Sequence, residues 1–325
     1  MTTPSRRPPL RHAMAWLALL PMAATVLWVY VGSVAWSLRV SLSSSRTLPI
    51  ADFVGLRQYE RLFDSERWTT SLRNMALFGA LFIVGCLVLG LLLAVFIDRR
   101  VKGEGLLRTV FLYPYAMSFV ATGLVWQWLL NPELGLQSTV RGWGLAGFNF
   151  DWIVRQDMVM VAIAIAAVWQ ASGLVMALLL AGRRGVDDSL WMAARIDGIP
   201  PWRVYASIVL PQLGPSFATA FVLLAVGVVK VFDVVVAMTQ GGPGLASEVP
   251  AKFIIDNLFV RANIGLASAA SSVLLLTVLA LLAPWLYARG RAARRDARRL
   301  APGQAQARPD MPGAPRRPAA GAGGA

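Results

Sequence analysis

The sequence predicts an all-α membrane protein with six transmembrane helices, and three observations carry this prediction. Of the 325 residues, 57% are hydrophobic and 15% are charged, whereas soluble domains carry about 25% charged residues. Six apolar stretches reach the roughly 20 residues that a helix needs to cross a hydrocarbon core of about 30 Å. Lys and Arg are concentrated in alternate connections between these stretches, as expected when one side of a membrane retains positive charge.

The first predicted span follows a basic flank, Arg6, Arg7 and Arg11, which a cleaved signal peptide would share. Its apolar run is long for such a peptide and no small-residue cleavage site precedes Arg39, so we favour a retained anchor. The third span contains Pro114, which membrane helices tolerate when neighbouring helices satisfy the freed carbonyl. The six predicted spans are 13–38, 74–97, 106–130, 158–182, 212–238 and 264–288.

Positive charge gives the predicted orientation. The N-terminus 1–12, the loop 98–108, the connection 183–211 and the tail 289–325 hold roughly two thirds of all Lys and Arg residues. We therefore expect both termini and 187–211 in the cytoplasm of a bacterial inner-membrane protein, with 13–288 as one six-helix domain. The basic, Pro/Ala/Gly-rich tail is expected to be disordered and to attract anionic membrane lipid, which we prefer over binding of nucleic acid.

Several kinds of chemistry are excluded by residue counts. Cys86 is the single cysteine and His12 the single histidine, so neither an internal disulfide nor a zinc site of the usual Cys and His type is expected. No Gly-x-x-x-x-Gly-Lys-[Ser/Thr] loop exists to cradle the phosphates of ATP. We expect no catalytic residue, no metal site and no cofactor bound by this chain.

The polar segment between the fourth and fifth spans predicts two short helices with a break. The residues at 187–189 can cap a helix, and Gly198 can end it because glycine adopts left-handed backbone angles cheaply. Pro200 and Pro201 suit the first turn of a second helix. We call the resulting helix, glycine corner and second helix the knob, residues 187–211.

The knob resembles the cytoplasmic Glu-Ala-Ala, Asp-Gly loop of the permeases of bacterial ABC importers. Met192 stands where the motif has glutamate and Ile199 replaces its small residue, so a salt bridge through that glutamate does not carry over. The matching residues are Ala193, Ala194, Asp197, Gly198, Tyr205, Ile208, Leu210 and Pro211.

The resemblance implies a type I ABC importer permease fold of the MetI-like kind. It also implies the partners: a second permease subunit, a cytoplasmic ABC ATPase dimer that holds ATP and Mg, and a periplasmic solute-binding protein. The residues expected to dock on the ATPase are Ala193, Ala194, Asp197, Gly198, Trp202, Tyr205 and Pro211.

Lys230 and Asp233 are the ionisable pair of the predicted fifth span. Such groups at membrane depth cost at least about 2.5–3.5 kcal/mol each and persist when they are paired or functional. Their spacing places them on one face of a continuous helix. One hypothesis is that this face borders the translocation path and that Asp233 accepts hydrogen bonds from a polyhydroxylated solute. The alternative is a structural ion pair near the outer interface, and the sequence favours neither.

Other polar and aromatic residues of the spans could also face a solute. Aromatic rings stack on sugar C–H surfaces and amides satisfy hydroxyl groups. The alternative for each residue is an aromatic belt or a hydrogen bond between helices. The further pathway candidates are Asn74, Trp169, Gln170 and Gln240.

The turn Thr239–Gly244, TQGGPG, is similar to that of the sugar-specific permeases, and the run 247–252 looks like the alpha-glucoside members. This resemblance implies import of an alpha-glucoside or related oligosaccharide, with another solute such as glycerol phosphate as an alternative. A secondary, ion-coupled transporter is the alternative from another class, but paired broken helices in inverted repeats are not apparent. A membrane scaffold without transport is a third possibility.

Overall fold

A computed structural model describes residues 10–49, 52–98 and 103–300. Helices make up most of this part of the chain. They are α1 (Leu10–Val26), α2 (Gly32–Ser41), α3 (Arg57–Phe63), α4 (Glu66–Asp98), α5 (Glu104–Ala116), α6 (Phe119–Leu129), α7 (Leu136–Gly142), α8 (Val159–Arg184), α9 (Asp188–Ile196), α10 (Pro201–Val204), α11 (Leu210–Gln212), α12 (Gly214–Val229), α13 (Asp233–Thr239), α14 (Pro250–Ile255) and α15 (Ile264–Leu300). Single π-helical turns occupy Leu27–Val31, Tyr205–Val209 and Asp256–Val260.

The number of spans agrees with the prediction when bent helices are counted. Four helical stretches in the described residues are long and apolar enough to cross a membrane by themselves, at Leu17–Ser41, Glu66–Asp98, Val159–Arg184 and Ile264–Trp285. Two further candidates are bent pairs, Glu104–Ala116 with Phe119–Leu129 and Trp202–Gln212 with Gly214–Val229. With each pair taken as one span, the total is six by length and composition, although Trp202–Gln212 lies almost entirely in the segment 187–211 that the sequence places in the cytoplasm.

Helix α8 forms the centre of the core. It packs along α4, α5 and α12, and its buried side chains include Ile163, Met176 and Leu179. Gly90 of α4 lets α4 and α8 approach each other closely, since a Cβ placed there would lie 2.6 Å from the Val175 side chain. Small residues at such crossings let helix backbones approach in a membrane, where packing replaces the hydrophobic effect as the driving force.

The third span is bent by 97° between α5 and α6. Pro114 lies inside α5, and the break falls after it, where Met117 and Ser118 adopt extended backbone angles. The Gln170 side chain of α8 donates a hydrogen bond to the freed carbonyl of Met117 at 2.9 Å. The neighbouring helix therefore satisfies the backbone as expected, but it does so at the break and not at the proline.

The predicted fifth span, 212–238, is divided in the structure. Helix α12 ends at Val229, and Phe232, with φ −145° and ψ −60°, separates it from α13. The expectation that Lys230 and Asp233 share one face of a continuous helix is therefore wrong. Lys230 follows the end of one helix and Asp233 begins the next, because the backbone leaves helical geometry between them.

The described residues divide into two units between Ala280 and Leu281. The first unit contains the core around α8. In the second unit α15 continues through Leu300, so the segment 289–300, which the sequence assigned to a disordered tail, is helical. Its Ala, Arg and Leu residues are good helix formers, which explains the difference. The rest of the predicted tail, 301–325, lies outside the described residues, as do residues 1–9.

Candidate docking loop and translocation cavity

The knob has the backbone that its sequence predicts. The Asp187 carboxylate accepts a hydrogen bond from the Ser189 backbone N–H at 2.8 Å and so caps α9. The same bond stabilises the charged form and lowers the pKa of Asp187. Gly198 has φ +64°, and the Ile199 N–H donates to the Ala194 carbonyl at 2.9 Å to close the helix end. The predicted helix, glycine corner and second helix are confirmed.

The two helices of the knob pack on each other around a small apolar cluster. Ala194, Val204, Val209 and Leu213 are its buried members. The Tyr205 ring meets Trp191 edge to face, with centroids 5.2 Å apart. Both helices contribute to one cluster, on which Leu91 of α4 and Phe217 of α12 also pack.

The predicted docking residues divide between the surface and the interior of the knob. Ala194 is buried and Tyr205 is partly buried, so these two hold the knob together. The apolar surface beside the exposed members is large, since Ile196 is 86% and Trp202 67% exposed. The predicted docking residues that lie at the surface are Ala193, Asp197, Gly198, Trp202 and Pro211.

A cavity of about 320 Å³ opens at the break between α12 and α13. Lys230 and Asp233 both line it and both are exposed. Neither takes part in an ion pair within the ranges that the structure describes. Irregular backbone at membrane depth is tolerated where it lines such a cavity. Most of the remaining lining is apolar, and its aromatic members are Phe78, Phe82, Tyr115, Phe119 and Phe232.

The charges also suit the two helix ends on which they lie. Lys230 is at the C-terminal end of α12, where the carbonyl ends of the helix favour a cation, and Asp233 is in the first turn of α13, where N–H groups favour an anion. A structural contribution and exposure to a solute are therefore compatible.

Two of the other pathway candidates have protein partners. The Asn74 amide donates to the carbonyls of Leu245 and Glu248, both at 3.0 Å, and so holds the connection between α13 and α14. The Gln170 amide nitrogen donates to the backbone at the break in the third span, and its carbonyl oxygen is buried without a hydrogen-bond partner among the described residues.

The last two candidates lie away from the lining of the cavity. Trp169 stacks edge to face on Trp126, with centroids 6.0 Å apart. Gln240 ends α13 with φ +55° and is exposed. A role of these residues in a pathway stays a prediction.

Comparison with known proteins identifies the family. The sequence model of the family described as "Binding-protein-dependent transport system inner membrane component" matches residues 86–291, which include the knob and the cavity charges. The chain belongs to this family. The permease is 36% identical over 274 residues to a probable ABC transporter permease protein of Pyrococcus horikoshii, with 83% of this chain and 94% of that protein covered.

Several other relatives are named for the solute that they transport. A xylose/arabinose import permease of Haloferax volcanii is 29% identical over 272 residues, with 82% of this chain and 85% of that protein covered. Other relatives are named for sn-glycerol-3-phosphate in Agrobacterium fabrum and for trehalose/maltose in Thermococcus litoralis.

The fold is that of a solved ABC importer. A chain of a bacterial ABC transporter involved in the import of the acidic polysaccharide alginate superposes with a TM-score of 0.74 at 18% identity, with 88% of the permease and 97% of that chain covered. This agreement shows that the permease has the predicted type of importer fold.

Sequence reasoning missed the residues that fasten the knob to the core. The Tyr205 hydroxyl donates to the Asp98 carboxylate at 2.9 Å, and Arg183 lies 2.6 Å from the same carboxylate. Asp98 and Arg183 directly follow the predicted spans 74–97 and 158–182, a position that suggests only an interface with water. A carboxylate and a guanidinium at the ends of adjacent helices are the signal that could have paired them.

Proposed function

We propose that this permease is one half of the translocation pathway of an ATP-driven sugar importer of a bacterial inner membrane. A second permease subunit forms the other half, a cytoplasmic ATPase dimer binds ATP and Mg, and a periplasmic solute-binding protein delivers the solute. Closure of the ATPase pair displaces the knob as a rigid body, and the helices joined to it turn the pathway between inward-facing and outward-facing states.

One observation carries the proposed coupling role: the knob is a helical unit that exposes three large apolar side chains. Ile196, Trp202 and Met192 are each at least 60% exposed. An apolar patch rimmed by polar residues marks an interaction site, and membership of the transport family supports the ATPase as its partner. The excess of Lys and Arg on the same side supports a cytoplasmic location of the knob and of both termini.

A sugar is the proposed solute because aromatic rings and two charged side chains meet at one cavity. Rings stack on the C–H surfaces of a sugar, and the Asp233 carboxylate can accept hydroxyl hydrogen bonds. Relatives named for xylose/arabinose and trehalose/maltose support a carbohydrate. An alpha-glucoside disaccharide is our first candidate, because of the likeness of 247–252 to alpha-glucoside permeases.

A second candidate solute, sn-glycerol-3-phosphate, is favoured by one feature. Lys230 is a cation in the cavity wall without an ion-pair partner in the described ranges, and it could meet a phosphate. A relative is named for this solute.

Reconstitution tests the function and separates the candidates. The permease is co-expressed with the second permease, the ATPase and the binding protein of its operon and placed in proteoliposomes. ATP hydrolysis is then measured against trehalose, maltose, xylose and sn-glycerol-3-phosphate. We expect one sugar to stimulate hydrolysis and to accumulate only with ATP. Accumulation driven by a proton or sodium gradient without ATP would instead identify a secondary transporter.

Cysteine crosslinking tests the docking role directly. Cysteines placed one at a time at 195–203 should crosslink to the ATPase in the assembled complex, whereas a cysteine at exposed Leu134, in the connection between α6 and α7, should not. If no position in the knob reaches the ATPase, docking through the knob is refuted. Purification without any ATPase partner would favour a scaffold.

A further inference from the structure

Four side chains form a closed ring where the knob meets the ends of α4 and α8. The Tyr205 hydroxyl donates to Asp98 at 2.9 Å, and Arg183 pairs with the same carboxylate at 2.6 Å. The Arg183 guanidinium lies over the Trp191 ring, 4.9 Å from its centroid. Trp191 and Tyr205 close the ring through their edge-to-face contact. The four residues belong to four different helical elements, so the ring joins them all.

The ring contains two largely buried charges, and each is stabilised by the other members of the ring. The Asp98 side chain is 8% exposed and that of Arg183 20% exposed, so each charge has lost most of its water. A buried charge is costly unless it is paired and hydrogen-bonded. Charge-assisted hydrogen bonds and a cation over an indole face are among the stronger polar contacts in proteins. The ring thus rests on one charge-assisted hydrogen bond, from Tyr205 to Asp98, and on the ion and ring contacts of Arg183, whose Nε has no hydrogen-bond partner among the described residues.

The covalent chain does not itself connect the knob to α4. Residues 185–187 lead from α8 into the knob, and Leu213 leads out of it into α12, whereas Tyr205 and Asp98 are 107 residues apart. Nearer the N-terminal end of α4, Phe78 and Phe82 line the cavity. Since α4 is one uninterrupted helix from Glu66 to Asp98, a displacement applied at Asp98 reaches those rings.

We propose that Asp98, Arg183, Trp191 and Tyr205 form a coupling latch that makes α4 and α8 move with the knob when the ATPase displaces it. The proposal rests on the proposed function and deepens it. The four are positioning residues: none lines the cavity, and each acts through the helix on which it lies. Without the latch, Leu91 of α4 still packs on the apolar cluster of the knob, but the charged tie is lost, the knob pivots at 185–187 and the wall of the cavity formed by α4 lags behind.

Spin-label distances in the full transporter complex test the latch without any knowledge of the solute. Labels are attached to cysteines at Leu92 of α4 and Ser207 of the knob, both exposed, in a Cys86→Ala background. The complex is measured without nucleotide and after trapping with ATP, Mg and orthovanadate. With the latch intact, we expect one narrow distance distribution that is the same in both states.

Tyr205→Phe keeps the ring contact with Trp191 and removes only the hydrogen bond, and Asp98→Asn removes the charge. Each should raise a second, trapping-dependent distance population by about tenfold, the effect of losing one hydrogen bond to a charged group. Tyr59→Phe, which removes the hydroxyl contact to Ser41 at 2.8 Å, is the matched control and should behave as the unsubstituted protein. A merely structural role would lower thermal stability without making the distance depend on nucleotide.

Two outcomes overturn the latch. In one, both variants keep the single distribution in both states, and in the other the unsubstituted complex already changes its distance on trapping. Failure of the proposed function is recognised separately, because then no ATPase co-purifies with the permease and no trapped state forms.

Discussion

At the scale of single residues, Gly198 has a conformation that other residues reach only at a cost. Its φ of +64° lies in the left-handed region, yet a Cβ built there would meet no atom of the described residues within 4 Å. A substitution therefore strains the backbone without causing a clash inside the chain. The corner of the knob is set by local geometry, and the space beside it is free for a partner.

Gly198→Val should abolish ATP-coupled uptake and leave membrane insertion intact. A β-branched residue in left-handed geometry costs roughly 1–2 kcal/mol, which moves the corner away from the shape that docks. Gly198→Asn is the control, because asparagine tolerates this region. Uptake and hydrolysis are measured in proteoliposomes, and normal coupled uptake by the valine variant would count against docking at the corner.

The charges of the cavity are testable in the same assay. Asp233→Asn should reduce sugar uptake several-fold with an unchanged amount of complex, since an amide replaces an acceptor-only group by one that also donates. Lys230→Gln should have a larger effect on sn-glycerol-3-phosphate than on a neutral sugar. Asp157→Asn, at an exposed pair with Arg155, is the control. Unchanged uptake and solute range in both cavity variants would remove these residues from the pathway.

At the scale of helices, the sequence predicted those features that depend on residues close together in the chain. The cap at Asp187, Gly198 and the proline pair predicted the knob, and each lies within a few residues of what it controls. The breaks near Met117 and Val231 were missed, because Pro114 was interpreted as tolerated within a span and Lys230 and Asp233 as two positions on one helical face. Gln170, on a different helix, supports the first break, and such a contact between distant segments is not visible in the sequence.

In the candidate site, too, contacts between residues distant in sequence were not predicted. Asn74 was predicted to face a solute because it is an amide in an apolar run, but its partners are carbonyls 171 and 174 residues away. The latch residues Asp98 and Arg183 were not singled out, since charged residues at the ends of spans are common. Lys230 and Asp233 were singled out by their cost in a membrane, and both line the cavity.

The close crossing of α5 and α8 requires a glycine at position 173. A Cβ on Gly173 would lie 2.0 Å from the Phe111 carbonyl oxygen, so Gly173→Leu must push the two helices apart. We expect a loss of about 1–3 kcal/mol or more of stability from this overpacking, seen as a lower melting temperature in detergent. Gly142→Ala, where nothing lies within 4 Å, is the control. Equal melting temperatures for both variants would contradict this packing.

At the scale of the whole molecule, a cluster of four charges joins segments far apart in sequence. Arg67 at the start of α4 pairs with Glu248 at 2.6 Å and with Asp256, and Lys252 pairs with Asp256 at 2.6 Å. Glu248 is almost completely buried. The cluster fixes the connection after α13 to the start of α4, at the opposite end of α4 from the latch.

The cluster makes stability depend on pH. Burial opposes ionisation of Asp256, but hydrogen bonds from Lys252 and Arg67 outweigh it and lower its pKa. A depressed carboxylate pKa stabilises the fold above the unfolded value of about 3.9. This stability is lost as pH falls through the folded value. The melting temperature should therefore fall between pH 5 and pH 3 more steeply than for Asp256→Asn, and parallel curves would contradict the role of Asp256.

The unequal burial of the spans has a genetic consequence. Of the most apolar 18-residue window in each span, 67% is buried within the described chain in α8 and none in Leu17–Ser41. In a random library selected for growth on the imported solute, surviving clones should therefore carry few changes along α8. Those changes should be mostly exchanges of similar volume. The N-terminal span should accept a wide choice of apolar residues, unless a neighbouring subunit imposes its own demands there.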